Sequence, residues 1–171
     1  MGLVSDITGR FANFTSKISK YINGDFTHAT AAERKQMAQE VRKAATVCTL
    51  GLSMQPIPFA DVLIITPFQV LMVRTIGNIY GYKLSARTTK ETLSVIGGGI
   101  VGQQLCLALF KIGLPGAGGL GGAVFVFCWT HAMGCAAEAY FSSGMKASRE
   151  ELEGICKAAM KEAMNDYKSS K

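Results

Sequence analysis

Apolar residues recur along this chain at helical spacing. From about Ser5 to Ile22, the positions Ile7, Phe11, Phe14, Ile18 and Tyr21 follow at intervals of four, three, four and three. This is one stripe of an amphipathic helix, with Arg10, Lys17 and Lys20 off it, and Asn23-Gly24 ends the segment. A second helix is expected from Ala31 to about Ser53, charged at first and apolar after Ala44. Gln55-Pro56-Ile57-Pro58 then predicts an extended connection, because a residue before proline is pushed away from the helical region. A short turn around Asp61 leads to a third helix over Pro67 to Tyr80, closed by Gly81. The last helix covers about Arg149 to Tyr167, with Leu152, Ile155/Cys156, Ala159/Met160 and Ala163/Met164 on one face.

Helix starts carry a local signature. A hydroxyl at the N-cap and a Glu or Gln three residues later satisfy each other's free amides. That pattern occurs as Thr30–Glu33, Thr66–Gln69, Thr88–Glu91 and Ser148–Glu151, with Pro67 suited to a first helical position. No period-2 run with hairpin turn chemistry competes, so the expected fold is all-α, a bundle of about five to six helices.

The middle of the chain sets the central question. Thr92 to Phe110 carries no formal charge, Lys111 interrupts, and Ile112 to Ala137 carries none again. Leu114-Pro115-Gly116-Ala117-Gly118 reads as a reversal, which predicts a glycine-rich apolar helical hairpin with arms at about Thr89–Gly113 and Gly119–Ser142. Gly98 and Gly102 lie one turn apart on the first arm, and Gly118 and Gly122 on the second. Such small-xxx-small spacing lets helix backbones meet, as they do when lipid removes the hydrophobic drive between helices. Gln103, Gln104 and His131 are polar intrusions, so a shallow or re-entrant insertion fits as well as two spans. A tightly packed bundle in water is the alternative. The organisation read from this pattern is an amphipathic helix over 1–28, a helical core over 29–145 with the hairpin at 89–142, and an amphipathic helix over 146–171.

Composition sharpens this picture. The 171 residues are 49% hydrophobic and 18% charged, with a net charge of +6. Ordinary soluble domains carry roughly 25% charged residues. The basic residues do not cluster with aromatic or polar readers, which argues against nucleic acid as a partner. The basic first helix suits an anionic leaflet, although a helix docked on its own core would look the same. No apolar run with a cleavage site opens the chain, and Asp6 stands where a myristoylation motif wants Ser or Thr. The five cysteines, Cys48, Cys106, Cys128, Cys135 and Cys156, are odd in number, dispersed and in apolar surroundings, as reduced thiols of an intracellular protein are.

Catalytic chemistry is sparse. There is no GxSxG, HExxH or phosphate-loop motif, and Gly97 to Gly102 imitates a dinucleotide fingerprint without a strand before it. Cys128, His131 and Cys135 share one helical face and could hold a transition metal, with Cys106 as a fourth ligand. Their place inside a long helix instead predicts a packed histidine, and no cofactor or metal is expected.

The order Pro56-Ile57-Pro58-Phe59-Ala60-Asp61, Thr66-Pro67-Phe68-Gln69, Tyr80-Gly81, Leu114-Pro115-Gly116-Ala117-Gly118 and Thr130-His131-Ala132-Met133-Gly134 resembles a known family. It is similar, over about Ala44 to Gly144, to the bacterial domain of unknown function found behind Era-like GTPase domains and in YcjF-like inner-membrane proteins. The resemblance implies a helical, membrane-associated module that accompanies GTPases. It implies structural roles for Pro56, Pro58, Asp61, Gln69, Gly81, Pro115 and Gly116, and no catalytic residue. The expectation is a non-enzymatic, intracellular protein on the cytoplasmic face of a membrane or in an inner membrane. It would bind lipid, self-associate through Gly98, Gly102, Gly118 and Gly122, and serve a GTPase partner. The alternative is a soluble regulatory module that binds an Era-like GTPase.

Overall fold

The computed structural model describes residues 2–53, 65–97 and 120–169. Among the described residues there are six helices and no strand: α1 (Gly2–Ile22), α2 (Ala31–Ser53), α3 (Thr66–Ile79), α4 (Ala86–Gly97), α5 (Leu120–Ser142) and α6 (Arg149–Ser169). The all-α reading holds. The connection over 54–64, with Pro56, Pro58 and Asp61, lies outside the described residues, as does the hairpin reversal.

α5 is the centre. Its sequence is apolar on every side, and such a helix is stable in water only when surrounded. α2 and α6 make the most extensive packing with it, α3 adds a third wall, and α4 touches it more lightly. No residue of α5 from Ala123 to Phe141 is exposed. The charge-free run that suggests a membrane arm is therefore, over this stretch, the core of a bundle. Among the described residues, no helix is long and apolar enough to cross a membrane.

α2 runs antiparallel to α5: Arg42 meets Glu138 and Thr49 meets Thr130. The apolar stripe of α1 packs inward on α2 and α3. Phe14 and Ile18 are fully buried, and Phe11 and Phe14 close on Phe68, with ring centroids 5.0 and 5.6 Å away. Burying one such side chain is worth about 1.5–3 kcal/mol. α6 turns back along α5 and buries Leu152, Cys156, Ala159 and Ala163 of the expected face, with Ile155, Met160 and Met164 half-buried beside them.

Two of the four predicted capping boxes form. Thr30 N–H donates to Glu33 at 2.8 Å while Glu33 N–H donates back to Thr30 Oγ1 at 3.2 Å. Ser148 and Glu151 repeat this at 2.7 and 3.2 Å. The other two are corrected. α4 starts earlier than expected, with Ser85 Oγ accepting from Thr88 N–H at 3.1 Å, while Glu91 accepts instead from Arg87 Nε at 3.1 Å. Leu84, packed against Gly77, delivers Ser85 to that position. At α3 the N-cap is Ile65, in helical conformation with no side-chain cap bond, and Gln69 is recruited elsewhere.

Gly81 closes α3 as predicted, and the reason is visible. Its φ is +93°, Tyr82 N–H donates to Gly77 O at 2.8 Å, and Gly81 N–H donates to Asn78 O at 3.0 Å. This is a Schellman termination, which favours glycine in the left-handed position. Gly144, with φ +73°, ends α5 in the same way. Gly81→Ala should therefore lower stability by about 1–2 kcal/mol in a urea titration. Gly9, an α1 position with open space around its Cα, should behave oppositely. Gly9→Ala is expected to raise stability by up to about 1 kcal/mol.

Candidate functional site

α5 carries a single formal charge, Glu138, in an otherwise uncharged helix. A lone carboxylate on a surrounded helix needs a cation, and α2 supplies it. Arg42 Nη1 donates to Glu138 Oε2 at 2.8 Å, with the two side chains only 13% and 15% exposed. The pair sits over Gly134, where an added Cβ would lie 2.7 Å from Arg42 Cγ and Cδ. Gly134 thus makes room for the arginine stem between α2 and α5. It acts within the chain, as a slot for a side chain. Arg42 Nε is buried without a hydrogen-bond partner among the described residues.

Cys135 and His131 border this pair. Burial, reinforced by Arg42, holds the His131 imidazole below its ordinary value of 6.5, against a weaker upward pull from Glu162 and Asp166. Burial also pushes up the thiols of Cys48, Cys128 and Cys135, and that of Cys156 to about 11. All four thiols are free, and protonated thiols are poor nucleophiles and poor metal ligands. Cys128, His131 and Cys135 follow one another along α5, and among the described residues no group of three or more His, Cys, Asp and Glu is gathered so as to hold a metal ion. Cys106 lies outside the described residues.

An open cleft of about 470 Å³ lies beside Glu138, lined also by Arg34, Lys35, Tyr80 and Ser142. Arg34 is already engaged there. Its guanidinium donates to the backbone oxygens of Ala29 at 3.1 Å and Phe26 at 2.9 Å, tying the turn before α2.

A second polar cluster crosses the core. Gln69 Nε2 donates to Thr130 Oγ1 at 3.2 Å, and Thr49 Oγ1 lies 3.4 Å from the same oxygen. The motif residue Gln69 therefore links α3 to α5 and α2. Gly81 has the terminating role described above. Gly122 lies in the first turn of α5. Gly98, Gly102, Gly118, Pro115 and Gly116 lie outside the described residues.

Sequence reasoning missed the Arg42–Glu138 pair. The signal was available in the isolation of Glu138, but its partner is 96 residues away. Removing one partner of a buried pair strands the other charge, which costs about 3–5 kcal/mol when burial is complete. Arg42→Ala should lose about 3 kcal/mol in chemical denaturation, and Arg42→Met with Glu138→Leu should recover most of it. His131 gives a pH signature. A histidine with a depressed folded pKa binds fewer protons folded than unfolded, so stability falls as pH drops from about 6.5 towards the folded value and then levels off. His131→Gln should flatten that part of the curve of stability against pH.

No curated protein and no solved structure matches the chain. A family model does match it, over residues 22–166, the greater part of the sequence and all of α2 to α5. That span is wider than the stretch carrying the motifs, and it takes in the Arg42–Glu138 pair and the Gln69–Thr130 link. The chain belongs to the DUF697 family, described as a domain of unknown function.

Proposed function

We propose that this chain is a non-enzymatic, membrane-associated helical protein that embeds the apolar sequence between α4 and α5 and self-associates through it. The observation that carries this reading is in the sequence: residues 98–119 are about as apolar as α5 and carry a single formal charge, Lys111. A nearly uncharged apolar segment of about 20 residues is what embedding in lipid requires. Gly98 with Gly102, and Gly118 with Gly122, supply the spacing for contacts between copies. The basic positions of α1 suit an anionic leaflet, on the cytoplasmic face of a membrane or of an inner membrane. A GTPase partner belongs to the proposal through the resemblance of the motifs.

A second reading is a regulatory bundle that works in water and binds an Era-like GTPase. It is favoured by the absence, among the described residues, of any helix long and apolar enough to cross a membrane.

Fractionation of the tagged protein from cells, followed by high-salt and carbonate washes, separates the two. Retention through both washes is expected. Release by salt alone, or recovery in the soluble fraction, would move the assignment to the second reading, with GTPase capture in a pull-down as its positive sign. In detergent, Gly98→Leu with Gly102→Leu should reduce the oligomer size, and an unchanged size would remove self-association through these glycines.

A further inference from the structure

The cleft beside Glu138 gathers groups that the fold does not use up. It opens between the start of α2, the residue after α3 and the last turns of α5, and its volume of about 470 Å³ suits a whole small molecule. Arg34, Lys35 and Tyr80 line it together with Glu138 and Ser142.

Its charges do not cancel. Arg34 is half-buried and held by neutral acceptors, the backbone oxygens of Ala29, Phe26 and Tyr80, the last at 3.4 Å from Nη1. These bonds fix the guanidinium without neutralising it. Lys35, the next residue, is exposed. The two carboxylates at hand are engaged, Glu138 by Arg42 at 2.8 Å, and Glu33 by the backbone N–H and hydroxyl of Thr30, both at 2.8 Å. Glu138 and Arg42 make a neutral pair, so Arg34 and Lys35 set the sign of the cleft.

Tyr80 supplies a donor of another kind. Its half-buried phenol lies within the fields of Glu138, Arg34 and Arg42, and burial, with Glu138, holds it above its ordinary value of 10. It therefore keeps its proton, with an O–H to give, at neutral pH. A fixed guanidinium, an ammonium and a phenolic O–H offer donors from three side chains. A flat carboxylate has two oxygens to accept them, whereas a phosphate presents three.

We infer that this cleft is a binding site for a phosphate monoester, with the phosphate held between Arg34, Lys35 and Tyr80 and the esterified group filling the remaining volume. Two sources share that chemistry, a water-soluble ester and the headgroup of phosphatidic acid. The cleft lies at the end of α5 remote from Leu120, so the inference does not depend on embedding of 98–119.

The test titrates the full chain with glycerol 3-phosphate, following backbone amide shifts by NMR, against sodium chloride at the same ionic strength. Saturable shifts at Ala31, Lys35, Tyr80 and Ser142 are expected with the phosphate and not with the chloride. Lys35→Gln and Tyr80→Phe should each weaken binding about fivefold or more, since each removes a charge-assisted hydrogen bond and neither removes a buried apolar group. Lys146→Gln, at an exposed position outside the cleft, should change nothing. Phosphatidylcholine vesicles with and without phosphatidic acid then separate the sources. Binding to phosphatidic acid that glycerol 3-phosphate competes away and Lys35→Gln weakens assigns the lipid headgroup. Saturation by the soluble ester without vesicle binding assigns a free one. Shifts that do not saturate, that chloride reproduces, or that survive both Lys35→Gln and Tyr80→Phe overturn the inference. Vesicle binding indifferent to both variants, with no response to glycerol 3-phosphate, would overturn it as well while leaving embedding through 98–119 standing.

Discussion

A helix without a polar face must be enclosed, and α5 places this requirement on every element around it. α2, α3 and α6 each turn an apolar face to it, and α4 adds a fourth neighbour. α1 then fills the groove that α2 and α3 leave on their far side. Two polar side chains that α5 carries into the interior meet partners. Glu138 meets Arg42, and Thr130 meets Gln69 and Thr49. Unmatched, either group would carry a desolvation cost comparable to a large part of a domain's net stability.

Glycine serves this enclosure in two ways. Gly134 admits the stem of Arg42 between two helices, and Gly77 lets Leu84 and Phe141 close on α3, where an added Cβ would lie 3.0 and 3.1 Å from them. Gly81 and Gly144 end helices in a left-handed turn. The glycine content of this chain is thus partly spent on packing within one molecule. That is the same physics as close helix association in lipid, applied to a helix surrounded by protein.

Much of the fold was legible because helical spacing and caps are local. The stripe of α1, the face of α6, the boxes at Thr30 and Ser148 and the stop at Gly81 all depend on residues within a turn or two of each other. The boxes at Thr66 and Thr88 misled for a related reason. A capping side chain is also an ordinary polar side chain, and tertiary geometry can offer it a better partner, as Thr130 does for Gln69. The candidate site was less legible, since Arg42 and Glu138 join helices far apart in sequence. α5 itself could not be assigned from its pattern, because a helix enclosed by protein and a helix enclosed by lipid are apolar all round alike.

The bundle has two unlike ends. The turns over 23–30 and 143–148 lie at one of them, bound by backbone hydrogen bonds and side-chain ties. α2 ends and α3 and α5 begin at the other, beyond the level where Thr49, Gln69 and Thr130 meet. α1 starts there too, since Arg10 lies against Gly51 while Lys20 lies against Glu40. A bulky fusion or dye on the first residues would therefore crowd the end where α2 ends and α3 and α5 begin. A reporter set at an exposed position of the closed end, such as Lys146, would leave that approach clear.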